Sequence, residues 1–222
     1  MERGKRMGTE IGGWTGKIYE LCQWIARLAY LNILWTLFTL IGFVIFGLGP
    51  STIAMYTIMR KWLQKENHLS VFSTFWKTYI KEFKNANLLG ILIVLFSIFI
   101  YLDWRIISAM QGPFYPLFMG FLIGVLFFSL VILMYLLPLY VRYNYRLLEY
   151  FKVSFLLSIA HPFHTISMLV GIITVIVAGA IFTGAGILFI GSGICFITTY
   201  FSMHIFYKME ETRTLNENQI EM

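Results

Sequence analysis

Charge is what this chain lacks most. From Val153 to Tyr207, 55 residues, there is no Asp, Glu, Lys or Arg. Three more charge-free stretches precede it: Leu28–Met59, Leu88–Leu102 and Ile106–Val141. Only 13% of the chain is charged, against about a quarter in an ordinary globular domain. Stretches of this length match crossings of a hydrocarbon layer about 30 Å thick and exclude a soluble core. Cysteine is also scarce. Cys22 and Cys195 form neither a disulfide framework nor a C-x-x-C zinc spacing, and both read as small buried apolar residues. The few carboxylates sit near the chain ends or at span ends. That argues against Ser–His–Asp and Cys–His catalysis, so neither catalytic residues nor a cofactor is expected. A Walker-type phosphate loop is absent too: Gly47-Leu48-Gly49-Pro50 lacks the spacing and no strand precedes it.

What is there is apolar: 59% of 222 residues, with a mean hydropathy of +0.75. That composition implies one all-α integral membrane domain over 1–222, a polytopic helical bundle in a bacterial cytoplasmic membrane. Five spans are expected, at about 28–44, 87–102, 117–141, 166–182 and 187–206, with interfacial amphipathic helices beside them. Residues 1–13 read as a frayed end, 14–27 as an interfacial helix, and 208–222 as a mobile polar tail. The net charge of +6 fits anionic headgroups rather than nucleic acid. Eleven basic residues fall in 60–87, 142–165 and the C-terminal tail. The other six, Arg3, Lys5, Arg6, Lys17, Arg27 and Arg105, fall on the opposite side in a five-span chain. The positive-inside rule then makes the first group cytoplasmic. A hairpin around Gly49-Pro50 within Leu28–Met59 instead puts the N-terminus there as well.

Several residues are singled out by type and position. Gly47, Gly49 and Pro50 mark a chain break, since glycine permits unusual backbone angles and proline removes a donor. Arg60, Lys61 and Trp62 mark a membrane interface. The segment 60–87 reads as a basic loop helix. In it Phe72, Phe75, Trp76, Tyr79, Ile80 and Phe83 form one helical face and Lys77, Lys81 and Lys84 the opposite one. Such a helix lies in the headgroup plane or docks a partner protein, with Trp76 and Phe83 as its anchors. Asn32 is a polar group inside a span, expected to face other helices. Asp103 and Arg105 make a polar corner at a span end. His161 and His164 stand three apart on a helix, but with no third ligand nearby no metal is expected. His204, within the fifth span, is expected to hydrogen-bond a neighbouring helix. The glycines of the last two spans, turning at Thr183-Gly184-Ala185-Gly186, predict a tightly packed hairpin.

Asn32 and Trp35, then GFVIFGLGPSTIAMYTIMRKWLQKE (Gly42–Glu66), FSTFWKTYIKEFKNANLLG (Phe72–Gly90) and, more loosely, PLYVRYNYRLLEYFKVSFLLSIAHPF (Pro138–Phe163) resemble the YesL-like family of bacterial integral membrane proteins. Ser51 departs from the small apolar residue expected after the G-x-G-P. The resemblance implies association with carbohydrate uptake systems, including ABC-type sugar permeases, and supplies no catalytic residue. The function expected is an accessory or small-solute transport component; the alternative is a membrane-embedded enzyme acting on a lipid or glycan.

Overall fold

A computed structural model describes residues 14–66 and 69–220. The frayed segment expected at 1–13 lies outside the described residues. Seven helices follow one another: α1 (Trp14–Ile41), α2 (Ile45–Leu63), α3 (Val71–Ala109), α4 (Tyr115–Arg142), α5 (Leu147–Ala160), α6 (Pro162–Ile181) and α7 (Thr183–Ile220). Helix is the only spanning form open to a single apolar segment, because lipid offers no partner for a free N–H or C=O. Five helices are long and apolar enough to cross a membrane: Gly16–Ile41, Val71–Ala109, Tyr115–Arg142, Pro162–Ile181 and Leu188–Glu211. The chain is a multi-pass helical membrane protein.

The structure merges segments that the sequence separates. The expected interfacial helix at 14–27 is the beginning of α1, without a break. The expected headgroup-plane helix and second span form one helix, α3, of 39 residues. At 1.5 Å per residue α3 is about 58 Å long, twice the hydrocarbon thickness. Its charge-free part is Asn85–Leu102; the stretch with Lys77, Lys81 and Lys84 precedes it and packs through Phe75, Tyr79 and Ala86 against the α1–α2 hairpin. The tail does not leave the helix at Lys208; α7 continues to Ile220.

The chain break near the first span is also displaced. The backbone reverses at Gly42-Phe43-Val44, where Phe43 and Val44 have φ of 54° and 64°. Gly47, Gly49 and Pro50 lie inside α2. A Cβ on Gly47 would collide with the Thr39 backbone of α1, and one on Gly49 would sit 2.9 Å from the Ala86 carbonyl oxygen of α3. These glycines are required by close helix approach rather than by a turn. Ser51 fits for a related reason: it is buried and hydrogen-bonds the Thr39 hydroxyl at 2.7 Å and the Gly47 carbonyl.

The outcome is an α1–α2 hairpin, so α2 returns the chain to the end where α1 begins. Trp24 of α1 meets Trp62 of α2 edge to face, 6.4 Å between ring centroids, and Arg27 lies over Trp62. This is the hairpin that the sequence offers as its alternative, turning at Gly42–Val44 rather than at Gly49-Pro50; helices of span length number five among the described residues, as expected. Among the described residues only Asp103 and Arg105 are charged at the far end, where α3 turns into α4; Lys17, Arg27 and the rest share the other, basic end.

Helix α2 is the buried centre, with α1, α3, α4 and α7 around it. One apolar cluster joins α1, α2, α3 and α7 around Leu31, Phe38, Met59 and Phe75. A second joins α3 to α7 around Tyr135, Leu139, Met168 and Phe206. Helices α5 and α6 meet in a bend at His161-Pro162, with Pro162 the first residue of α6. The α6–α7 hairpin is tight, as its glycines predict, but it turns at Phe182. Gly184 and Gly186 lie inside α7, and Gly186 abuts the Gly179 backbone. Cys195 is buried, whereas Cys22 is exposed, contrary to the reading of both as buried.

Candidate functional site

Three polar groupings are set by this packing: a seam inside the bundle, a cluster at the basic end, and an exposed face on α3. In the seam, Asn32 of α1 is buried and its Oδ1 accepts the Ser192 N–H of α7 at 3.2 Å. Tyr56 of α2 pairs with Thr198 of α7 at 2.9 Å, and Trp35 donates to Thr52 at 3.0 Å. Each bond joins two helices. In a medium without water such pairs fix helix register, at about 0.6 kcal/mol each on average. Asn32 therefore faces other helices, as expected of a polar group in a span.

At the basic end the family-like Arg-Lys-Trp is largely consumed by the fold. Arg60 reaches across to α4 and donates to the Val141 carbonyl at 2.8 Å, one of the carbonyls a helix end leaves unpaired. A cation there also meets the negative end of the helix dipole. Lys61 pairs with Glu66 at 3.5 Å. Trp62 is buried beneath Trp24 and Arg27. Arg142, at the last turn of α4, binds Glu210 of α7 through two nitrogens, at 2.6 and 3.2 Å. Tyr143 donates to the same carboxylate at 2.9 Å. Burial, and then the carboxylate itself, push the Tyr143 hydroxyl above the ordinary phenol range. Glu82 of α3 accepts from Tyr140 of α4 at 2.8 Å. Nothing in the sequence signals the contacts of Arg60, Arg142, Tyr143 and Tyr140, whose partners lie 58 to 81 positions apart.

The aromatic face of α3 divides in two. Phe75 and Tyr79 are buried against Phe38 of α1. Phe72, Trp76, Ile80 and Phe83 stay open, with Trp76 44% and Phe83 36% exposed. Lys77, Lys81 and Lys84 are exposed beside them. The two proposed anchors thus lie on a face that the chain covers only in part, Trp76 touching Phe38 and Phe83 touching Tyr79.

The remaining candidates separate. Asp103 lines an apolar groove of about 360 Å³ between α3 and α4, and Arg105 is exposed. His161 and His164 do meet, at 5.9 Å between ring centroids. The third member is His204, which stacks on His164 at 5.8 Å instead of simply bonding a neighbour. Among the described residues no three such groups are placed to hold one metal ion.

This is the architecture of a polytopic helical membrane protein whose polar interior residues join helix to helix. Residues 28–104 match the family described as "Protein of unknown function, DUF624". The chain is 39% identical to the uncharacterized protein YteU of Bacillus subtilis over 161 residues, 72% of each chain. It is 36% identical to YesL of the same organism over 71% of this chain and 74% of that one, and 36% identical to YesV over 71% and 76%. The chain belongs to this YesL-like family. No solved structure matches it.

Proposed function

We propose that the chain is a non-catalytic accessory subunit of a bacterial carbohydrate uptake system, docked on a membrane partner such as an ABC-type sugar permease subunit. The observation that carries this reading is the open row Phe72, Trp76, Ile80 and Phe83 on α3, flanked by three exposed lysines. A rigid helix with aromatic anchors on one side and cations on the other suits a protein partner better than fluid lipid. The arrangement of charge supports a cytoplasmic location for that helix. Twelve of the thirteen described Lys and Arg with defined side chains lie at the basic end, and Arg105 alone lies at the far end, which is the positive-inside pattern of a cytoplasmic membrane. The interior supports a scaffold role, because its polar side chains are engaged in holding helices together.

The test is recovery of the permease subunit with affinity-captured Trp76→Leu and Phe83→Leu proteins from mild detergent extracts. A dock requires shape as well as apolarity, so both variants insert normally and lose the permease. Permease recovery equal to wild type in both variants refutes the docking role.

A further inference from the structure

We propose that the imidazole cluster where α6 meets α7 is a binding site for the phosphate of an anionic phospholipid. His161 and His164 stand at the bend that opens α6, and His204 of α7 stacks on His164 with planes 23° apart. Lys208 is one helical turn from His204 toward the basic end and close enough for its charge to act on His164. Three imidazoles thus meet where α6 packs on α7, with a lysine one turn away.

The chemistry of the patch selects an anion. Neutral imidazole carries one N–H donor and imidazolium two, while the lysine adds a fixed cation. An anion held among imidazoles favours their protonated form, so proton and anion uptake are coupled. The nearby carboxylates on α7 are Glu210, committed to Arg142 and Tyr143, and Glu211, one turn from Lys208.

The position of the patch selects a lipid. The span Leu188–Glu211 becomes charged only at Lys208, so His204 lies about one turn inside that boundary, at the depth where headgroup meets acyl chain. His204 is exposed and its two partners are half-buried, so the patch opens sideways. Beside it in the chain, Phe163 is 83% exposed and Tyr207 is also exposed. A ligand that fills this surface carries apolar chains beside its phosphate. Basic patches between transmembrane helices at this level are suited to anionic lipid headgroups.

The experiment titrates the full-length protein in detergent with phosphatidylglycerol, phosphatidylcholine or inorganic phosphate, following thermal stability at about pH 6 and about pH 7.5, on either side of the imidazole range. Phosphatidylglycerol is expected to stabilise the protein, with higher affinity at the lower pH, while phosphatidylcholine and inorganic phosphate do not. Lys208→Gln lowers the affinity about fivefold at both pH values. His161→Gln, His164→Gln and His204→Gln combined abolish the pH dependence. If the triple variant does not fold, His204→Gln alone, at an exposed position, reports the same loss in smaller degree. Equal stabilisation by phosphatidylcholine overturns the proposal, as does unchanged pH-dependent affinity in whichever histidine variant folds. Stabilisation by inorganic phosphate as strong as by phosphatidylglycerol overturns the lipid assignment.

Discussion

Replacing Gly47 by Ala adds a single methyl group at the point where α2 crosses α1. The new Cβ would lie 2.8 Å from the Thr39 Cα and 2.9 Å from the Phe38 oxygen, and closer still to the Thr39 oxygen. These are backbone atoms of a packed helix and cannot rotate away. Carbon contacts settle at about 3.5–4.0 Å, so the two helices must part by about 1 Å. That separation costs about 1–3 kcal/mol as overpacking. It also stretches the Thr39–Ser51 hydrogen bond, for about 1 kcal/mol more. At about 2–4 °C per kcal/mol for a chain of this size, melting in detergent falls by about 10 °C. The assay is loss of the monodisperse gel-filtration peak after heating. Gly120→Ala and Gly124→Ala supply the comparison, because a Cβ at either meets nothing within 4 Å. Alanine is the better helix former by about 1 kcal/mol, so these two variants melt at or slightly above wild type. A Gly47→Ala protein melting with those two refutes the assignment of Gly47 to helix contact.

Pro50→Leu is expected to cost less than Gly47→Ala in the same assay, because the chain turns eight to six residues earlier, at Gly42–Val44. Glu210→Gln destabilises by about 1–3 kcal/mol, since it leaves the Arg142 guanidinium, whose side chain is 10% exposed, with a neutral partner; a double-mutant cycle with Arg142→Gln shows the coupling directly. Tyr56→Phe removes one interhelical bond and lowers stability by about 0.6 kcal/mol, seen as a small melting shift with unchanged insertion. Native Cys22, exposed on α1, reacts with a membrane-impermeant maleimide only from the side that also exposes a C-terminal tag; labelling from the opposite side contradicts the α1–α2 hairpin.

Much of the architecture is legible in the sequence because lipid imposes it residue by residue. Five charge-poor apolar segments of span length become five helices of span length, and the glycines of 171–193 become the α6–α7 contact. The boundaries are less legible. Nothing local stops a helix at Arg27 or Asn87, so the amphipathic segments before the first and second spans continue into them. Gly-x-Gly-Pro reads as the break because glycine serves both turns and close packing, and sequence alone does not distinguish them. The reversal instead falls on Phe43 and Val44, two residues that seldom adopt positive φ. Of the candidate site, Trp76 and Phe83 are readable from helical spacing. The partners of Arg142 and Tyr140, and the stacking of His204 on His164, are not, because they depend on which helices become neighbours.

The proposed role rests on the exposed face of α3 as a dock for a carbohydrate-uptake permease. The most direct measurement is photo-crosslinking in intact cells from an amino acid with a photoreactive side chain placed at position 76, with position 121 on α4 as control. Phe121 is 73% exposed and lies in the span Tyr115–Arg142, where lipid is its expected neighbour. Docking through α3 predicts a crosslinked permease subunit, identified by mass spectrometry, from position 76 and none from position 121. Lipid adducts alone from both positions contradict it.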